Sequence, residues 1–341
     1  MRRIVRLLVL WLGWAYPVAL FSVVLALRAV GEDWWVTSSA LYLPRLGFGA
    51  PLLLLVPALA WLKLWRALWF QALGLVLLLF PVMGLALSWP HESAPKGSLR
   101  VLSFNVNTCH FGCDKVANAI FEHDADVVLT QETPVDDQLL PELRRRYPHV
   151  QGSTQFAIAS RFPILETTNP GKLSYYGDER SPRFMRYVIA SPFGKVTIFS
   201  VHPISPRQGL HELKGEGLRH EMASGRFFGG HGPFEVSKLT GLRRLQIETA
   251  MKEAAYEGNP VIVAGDTNLP GLSKVLAQNF QAYQDGFQEA GFGFGYTFPA
   301  RLPWMRIDRI FASGRLRFSR FSVDCKGVSD HLCVVADLHS E

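Results

Sequence analysis

Three charge-free apolar runs fill most of the first ninety residues and constrain this chain more than any other feature. Leu7–Leu27 runs for 21 residues between Arg6 and Arg28. Leu46–Leu62 runs for 17 between Arg45 and Lys63, and Ala67–Trp89 for 23 between Arg66 and Pro90. A helix crossing the hydrocarbon core of a bilayer needs about 20 such residues. The pattern predicts three transmembrane helices, at about 7–27, 43–62 and 67–89. The middle one reaches its length only if Leu41–Leu43 join it past a snorkelling Arg45. Pro51, Pro57 and Pro81 fall inside the runs, which membrane helices tolerate. Arg2, Arg3 and Arg6 would also suit a cleaved signal peptide. The first run exceeds a typical signal core, however, and two more follow, so a retained anchor is expected.

The basic residues orient these spans. Arg2, Arg3 and Arg6 precede the first, and Lys63 and Arg66 sit in the short turn before the third. By the positive-inside rule both belong in the cytoplasm, so three crossings leave everything after Trp89 outside. The expected location is the cell (inner) membrane, multi-pass, with an extracytoplasmic domain. Trp34, Trp35, Trp61, Trp65, Trp69 and Trp89 fall near the inferred interfaces, as an aromatic belt would.

Of the net charge of +6, all but one unit resides in this anchor. Residues 1–90 hold seven basic and two acidic side chains, leaving 28 and 27 for the rest. A nonspecific nucleic-acid binder usually carries its basic excess on the soluble domain, so that partner class is disfavoured. All four cysteines (Cys109, Cys113, Cys325, Cys333) lie in the exported part, where disulfides are permitted. Four cysteines allow three pairings and the spacing chooses none, so Cys109 and Cys113 are either bridged to each other or not. Zinc is disfavoured, because His110 between them has no second ligand pair at finger spacing.

After a polar linker at 91–98, the chain to 341 reads as one α/β domain. Short β-type runs (Leu99–Val106, Asp126–Thr130, Phe156–Ser160, Phe184–Ala190, Val196–Val201, Pro260–Ala264, Ile307–Phe311, Leu332–Asp337) alternate with helical patterns at Lys115–His123, Gln138–Tyr147 and Glu235–Tyr256. The stretch Pro203–Pro233, with His211, His220 and His231, has no clear period; it reads either as a substrate-covering lid or as a surface loop.

Several of the apolar runs end in groups that bind metals or move protons. RVLSFNVN delivers Asn105 and Asn107, and ADVVLTQET delivers Glu132. VTIFSVHPISP delivers His202, and VIVAGDTN delivers Asp266 and Asn268. MRIDRIF delivers Asp308, and GVSDHLCVV delivers Asp330 and His331. A single such terminus is routine, since Asp266 and Asn268 alone make a plain Asx turn and Asp330 alone a cap. Six together suggest one convergent pocket.

The ordered set NVN, QET, H-x-x-x-P, GDTN, RIDRIF and SDH resembles the endonuclease/exonuclease/phosphatase family, the deoxyribonuclease I-like fold, over residues 99–338. ASRFPI and YTFPARLP also resemble family segments. The resemblance implies a two-sheet α/β sandwich and a catalytic site dependent on Mg²⁺, or on Mn²⁺ in its place. It implies metal ligation by Glu132, Asn107 and Asp330, with Asn107 standing where many members carry an acid. It implies a His331–Asp308 dyad acting as base or phosphate binder, Asp266 as the alternative water activator, and Asn268 as donor to a phosphoryl oxygen. His202 would be the leaving-group acid, and Asn105 would orient Glu132 or the phosphate. Three spans followed by such a domain also resemble the VanJ-type membrane proteins, associated with polyprenyl pyrophosphate hydrolysis. The expectation is therefore a phosphohydrolase acting on a membrane-lipid phosphate or pyrophosphate, such as undecaprenyl pyrophosphate, at the outer face. A tethered nuclease and a non-catalytic scaffold are the alternatives.

Overall fold

The computed structural model describes residues 2–88, 95–134, 138–213 and 230–341. Half of the linker (91–94), Trp89 and His220 lie outside the described residues.

The apolar runs form helix α1 (Arg2–Ala29), a short α2 (Trp35–Ala40), α3 (Ala50–Trp61) and α4 (Trp65–Leu77), which passes into a π-helical turn at Leu78–Val82. Gly13 packs beside Ala67 and Gly74 beside Tyr16 and Pro17, so α1 and α4 run parallel. The Gln71 amide closes this seam by donating to Gly13 O (2.6 Å). Leu59 also meets Gly13, which places the end of α3 there and makes it the returning element.

Of the three expected spans the structure supports two: Arg3–Ala29 and Trp65–Val82 are long and apolar enough to cross a membrane. The middle run forms a shorter apolar helix, Arg45–Trp61, and a third span is not confirmed. Its α-helical part holds 12 residues, about 18 Å at 1.5 Å per residue, against about 30 Å of hydrocarbon. Pro44 and a 3₁₀ turn at Arg45–Gly49 precede it, so Leu41–Leu43 do not extend it. The third run also ends early, because Ala86–Leu87 leaves the helix as strand β1. Of the expected belt, Trp61, Trp65 and Trp69 are exposed, whereas Trp35 is buried.

Residues 99–340 supply strands β2 (Leu99–Asn105), β3 (Val127–Gln131), β4 (His149–Ser153), β5 (Phe156–Ser160), β6 (Ile164–Thr168), β7 (Leu173–Tyr175), β8 (Asp178–Arg180), β9 (Phe184–Ser191), β10 (Gly194–Val201), β11 (Val261–Asp266), β12 (Tyr283–Asp285), β13 (Phe292–Gly293), β14 (Asp308–Ser313), β15 (Leu316–Asp324) and β16 (Cys333–Ser340). They build two six-stranded sheets, ordered β15-β16-β2-β3-β5-β4 and β12-β14-β11-β10-β9-β6. Side chains alternate across each strand, so Val127 and Leu129 enter the core between the sheets while Val128 packs outward under α5 (Cys113–Glu122) and α6 (Leu139–Arg144). On the other sheet, Ile262 and Ala264 point inward, and Val261 and Val263 pack on Ile247, Met251 and Ala254 of the long helix His231–Ala255. Burial on both faces explains why these strands read as unbroken apolar runs. Cys325 pairs with Cys333, whose strands meet where Asp324 faces Cys333. Cys109 and Cys113 are not bridged to each other and lie buried beneath α5.

Two parallel pairs fix where the chemistry collects. β2 runs parallel to β3 and β10 parallel to β11, so Asn105, Glu132, His202 and Asp266 emerge at one edge. β14 and β16 run antiparallel to β11 and β2, which brings Asp308 and His331 to that edge at their starting ends.

The apolar helices dock on this domain through polar contacts. Glu32 is buried and accepts from the Ser273 hydroxyl and from Lys274 N (2.9 Å) and Val275 N (3.3 Å), capping the helix Lys274–Asn279. Asp33 pairs with Lys274 and Arg244. β1 pairs with β13, and Tyr296 donates to Met83 O (2.9 Å).

Candidate active site

The GDTN turn is the centre of the edge. β11 lies so close to β10 that a Cβ on Gly265 (φ 147°) would stand 2.0 Å from Val201 O, so only glycine fits. Asp266 follows in register with Asp308. Asn268 N donates to Asp266 Oδ1 (2.9 Å), an Asx turn, and the Asn268 amide donates to Pro203 O (3.1 Å) and Asp266 Oδ2 (3.4 Å). The Asn268 side chain therefore fastens the His202–Pro203 segment to Asp266.

Asp266 Oδ2 also accepts from Asn105 Nδ2 (3.2 Å), which donates as well to Glu132 Oε1 (3.1 Å). His202 Nε2 lies 3.5 Å from Glu132 Oε1 and 3.6 Å from Asp266 Oδ2. Its Nδ1–H donates to Gln155 Oε1 (2.7 Å), so Nε2 carries a lone pair. Three acceptor atoms thus converge with a single amide between them. His331 completes the ring: Nδ1 bonds Asp308 at 3.0 and 3.2 Å, and Nε2 lies 3.7 Å from Asp266 Oδ2.

The two histidines differ in charge: His331 is held protonated and His202 neutral. Burial opposes a charge on His331, but Asp308 and Asp266 outweigh it and push the imidazole up to about 10. Burial pushes His202 down to about 4, with the pull of Asp266 too weak to reverse it. Burial also raises Asp266, with Asp308 adding to the effect and His331 opposing it.

The donor set fits a divalent cation. Half-buried Glu132 and buried Asp266 offer carboxylate oxygens 3.5 and 3.6 Å from the lone pair of His202 Nε2, and acceptors that face one another this closely favour a cation or a proton between them. Asp266, Asp308 and His331 form a second compact acidic group, with donor atoms within 4.8 Å of one another. There the Asp308–His331 hydrogen bond already occupies Nδ1, and that group reads as a dyad beside the cation position.

A pocket of about 750 Å³ opens over this edge. Of the residues singled out from sequence, Glu132, His202, Asp266, Asn268, Asp330 and His331 line it. Asn105 and Asp308 stand behind them. Asn107, in a left-handed turn (φ 45°), does not line it. Asp330 faces Arg207 Nη2 (3.5 Å). The structure adds Arg183 and Arg207, which no motif marked, to the pocket lining, and Phe298 of the YTFPARLP segment packs on the His331 ring at 4.6 Å. Helix α7 (Arg207–Glu212) forms the first part of the stretch read as a lid or loop, and His211 lines the pocket from it; residues 214–229 lie outside the described residues. Tyr42, from the connection between α1 and α3, also lines the pocket; its hydroxyl donates to Asn268 O (2.9 Å) and accepts from Arg243 Nη1 (3.1 Å).

The sequence profile of the endonuclease/exonuclease/phosphatase family matches residues 102–331, and the chain belongs to that family. Its fold is shared by solved structures of low identity. An endonuclease/exonuclease/phosphatase from Beutenbergia cavernae aligns at 16% identity and TM-score 0.51, over 72% of each chain. Truncated TDP2 from Caenorhabditis elegans aligns at 17% and 0.50, over 71% of this chain and 98% of that one. SmcL aligns at 15% and 0.51, over 71% and 99%. No curated protein sequence matches significantly.

Proposed function

We propose that this chain is a divalent-metal-dependent phosphohydrolase, using Mg²⁺ or Mn²⁺, held at the outer face of the cell membrane and acting on a lipid-borne phosphate or pyrophosphate. The observation that carries the lipid assignment is Tyr42. A side chain from the apolar N-terminal part lines the catalytic pocket and fixes the GDTN turn. The pocket wall adds Leu210, Phe298 and Met305, an apolar surface suited to a lipid chain. The parallel course of α1 and α4 supports the orientation: with the N-terminus cytoplasmic, both helices end on the domain's side, and the stretch through α3 returns the chain.

Glu132, Asp266 and His202 would hold the cation, with Asn105 orienting both carboxylates. When bound, the ion supplies positive charge to the phosphoryl oxygens as negative charge builds in the transition state. His331, held protonated by Asp308, donates from Nε2 to a phosphoryl oxygen; its charge favours this role over that of base. Asp266, raised by burial, sits where it can take a proton from an attacking water. Neutral His202 presents a lone pair, which disfavours it as leaving-group acid. Arg183 and Arg207 add cationic reach for a second phosphate.

Purified full-length protein with Mg²⁺, offered polyprenyl pyrophosphate and supercoiled plasmid in parallel, should release phosphate without nicking DNA. Nicking without phosphate release would replace this reading with the nuclease. Neither activity, with His331→Ala indistinguishable from wild type, would leave a scaffold.

A further inference from the structure

A second cavity, of about 300 Å³, lies where the apolar helices meet the domain, and the hydrolytic reading does not use it. Phe80 and Met83 from the end of the third run form its apolar side. Arg28, Arg45, Arg306 and Arg309 form its polar side, and Asp285 is the single carboxylate lining it. Asp285 is already engaged, accepting from Arg306 Nη1 (2.7 and 2.9 Å) and Arg309 Nη1 (2.7 Å).

Arg45 is the exceptional member. It is 4% exposed, and its Nη2 donates to Leu41 O (2.5 Å). Its buried Nη1 donates to nothing among the described residues, and no carboxylate pairs with it there. Arg309 Nε is buried and unpartnered in the same way. Arg28 stands exposed near the end of α1, and the one carboxylate acting on it, Glu32, is already engaged by Ser273, Lys274 N and Val275 N. A buried guanidinium without a counter-charge is strongly unfavourable, and the unmet donors define what is missing: an anion with several acceptor oxygens.

We infer that this cleft binds a phosphate ester anion, the headgroup of an anionic phospholipid, through Arg28, Arg45 and Arg306. The cleft lies where α1 and the third run end, and Phe80 and Met83 continue its wall toward the apolar helices, which suits the start of an acyl chain. Trp304 and Met305 line both this cleft and the catalytic pocket, so a bound headgroup braces the partition between them. The inference does not depend on the hydrolase reading, because it concerns binding alone.

The test is native mass spectrometry and calorimetry of the detergent-purified full chain with phosphatidylglycerol, phosphatidylcholine, glycerol phosphate and inorganic phosphate. Phosphatidylglycerol should be retained and phosphatidylcholine lost. Arg45→Leu and Arg28→Gln should each weaken phosphatidylglycerol binding tenfold or more. Arg28 is exposed, so its variant keeps the test open if Arg45→Leu fails to fold. Glycerol phosphate or inorganic phosphate binding with the same Arg45 dependence, without lipid retention, would support the phosphate site and assign it a soluble ester. Equal retention of both lipids by wild type, or unchanged phosphatidylglycerol affinity in both variants, would overturn it.

Discussion

Asp308 and Arg309 are neighbours at the start of β14, yet they serve cavities of opposite character. Asp308 faces the edge where Glu132, Asp266 and His202 crowd their acceptor atoms together. Arg309 faces the cleft where four arginines meet one carboxylate. Two aspartates make the contrast sharper. Asp266 is raised by burial, with Asp308 adding to it. Asp285 is also pushed up by burial, but Arg306 and Arg309 overcome that and hold it below its ordinary value. Burial is common to both; the facing charges decide the sign. The GDTN edge gathers acceptor atoms and the cleft gathers guanidinium donors, so a strand with alternating faces separates two complementary demands.

Four experiments would break or sharpen this contrast. Asp285→Asn leaves Arg306 and Arg309 facing each other and should cost about 3–5 kcal/mol at neutral pH. The sign in pH follows from the lowered carboxyl. Its stabilisation is complete above 3.8 and disappears as pH falls through the depressed folded value, so the gap in melting temperature between wild type and variant should close below that point. A gap independent of pH would deny the pairing. Asp266→Asn should lower hydrolysis by about 10²–10³-fold and weaken Mg²⁺ binding by calorimetry. Unchanged Mg²⁺ affinity would make the acidic edge as self-sufficient as Asp285. Glu32→Ala removes the acceptor for Lys274 N and Val275 N and should cost about 2 kcal/mol, a fall of roughly 4–8 °C in the melting of the domain. A smaller shift would mean that the anchor leans on the domain without stabilising it. Tyr42→Phe removes one hydroxyl and should cost about 1 kcal/mol, read as a severalfold rise in KM for the lipid with little change for a short soluble phosphate ester.

The acidic edge was legible because its chemistry demands particular residue types at strand ends. NVN, QET, GDTN and SDH mark those ends whatever the tertiary detail. What stayed hidden depended on contacts between distant segments. β4 and β6 are edge strands with half-exposed or exposed faces, so HVQGS and ILETT lack an apolar signature. Asn107 occupies the motif position but turns away in a left-handed bend. The span boundaries were not legible because an uncharged run reports hydrophobicity, while the helix ends are set by Pro44, a 3₁₀ turn and the pairing of Ala86 with Gly293. Tyr42 and the arginine cleft had no motif at all: their meaning arises only when two parts of the chain meet.

The hydroxyl of Tyr42 on the carbonyl of Asn268 makes the apolar N-terminal part and the candidate active site one heritable unit. A chain severed near Pro90 would keep every polar residue read from the motifs and lose a wall. Grafting the domain onto unrelated apolar helices would do the same damage. Variation at Tyr42 among descendants of this gene should therefore be answered at Arg243, its other partner, sooner than at any residue of the apolar helices.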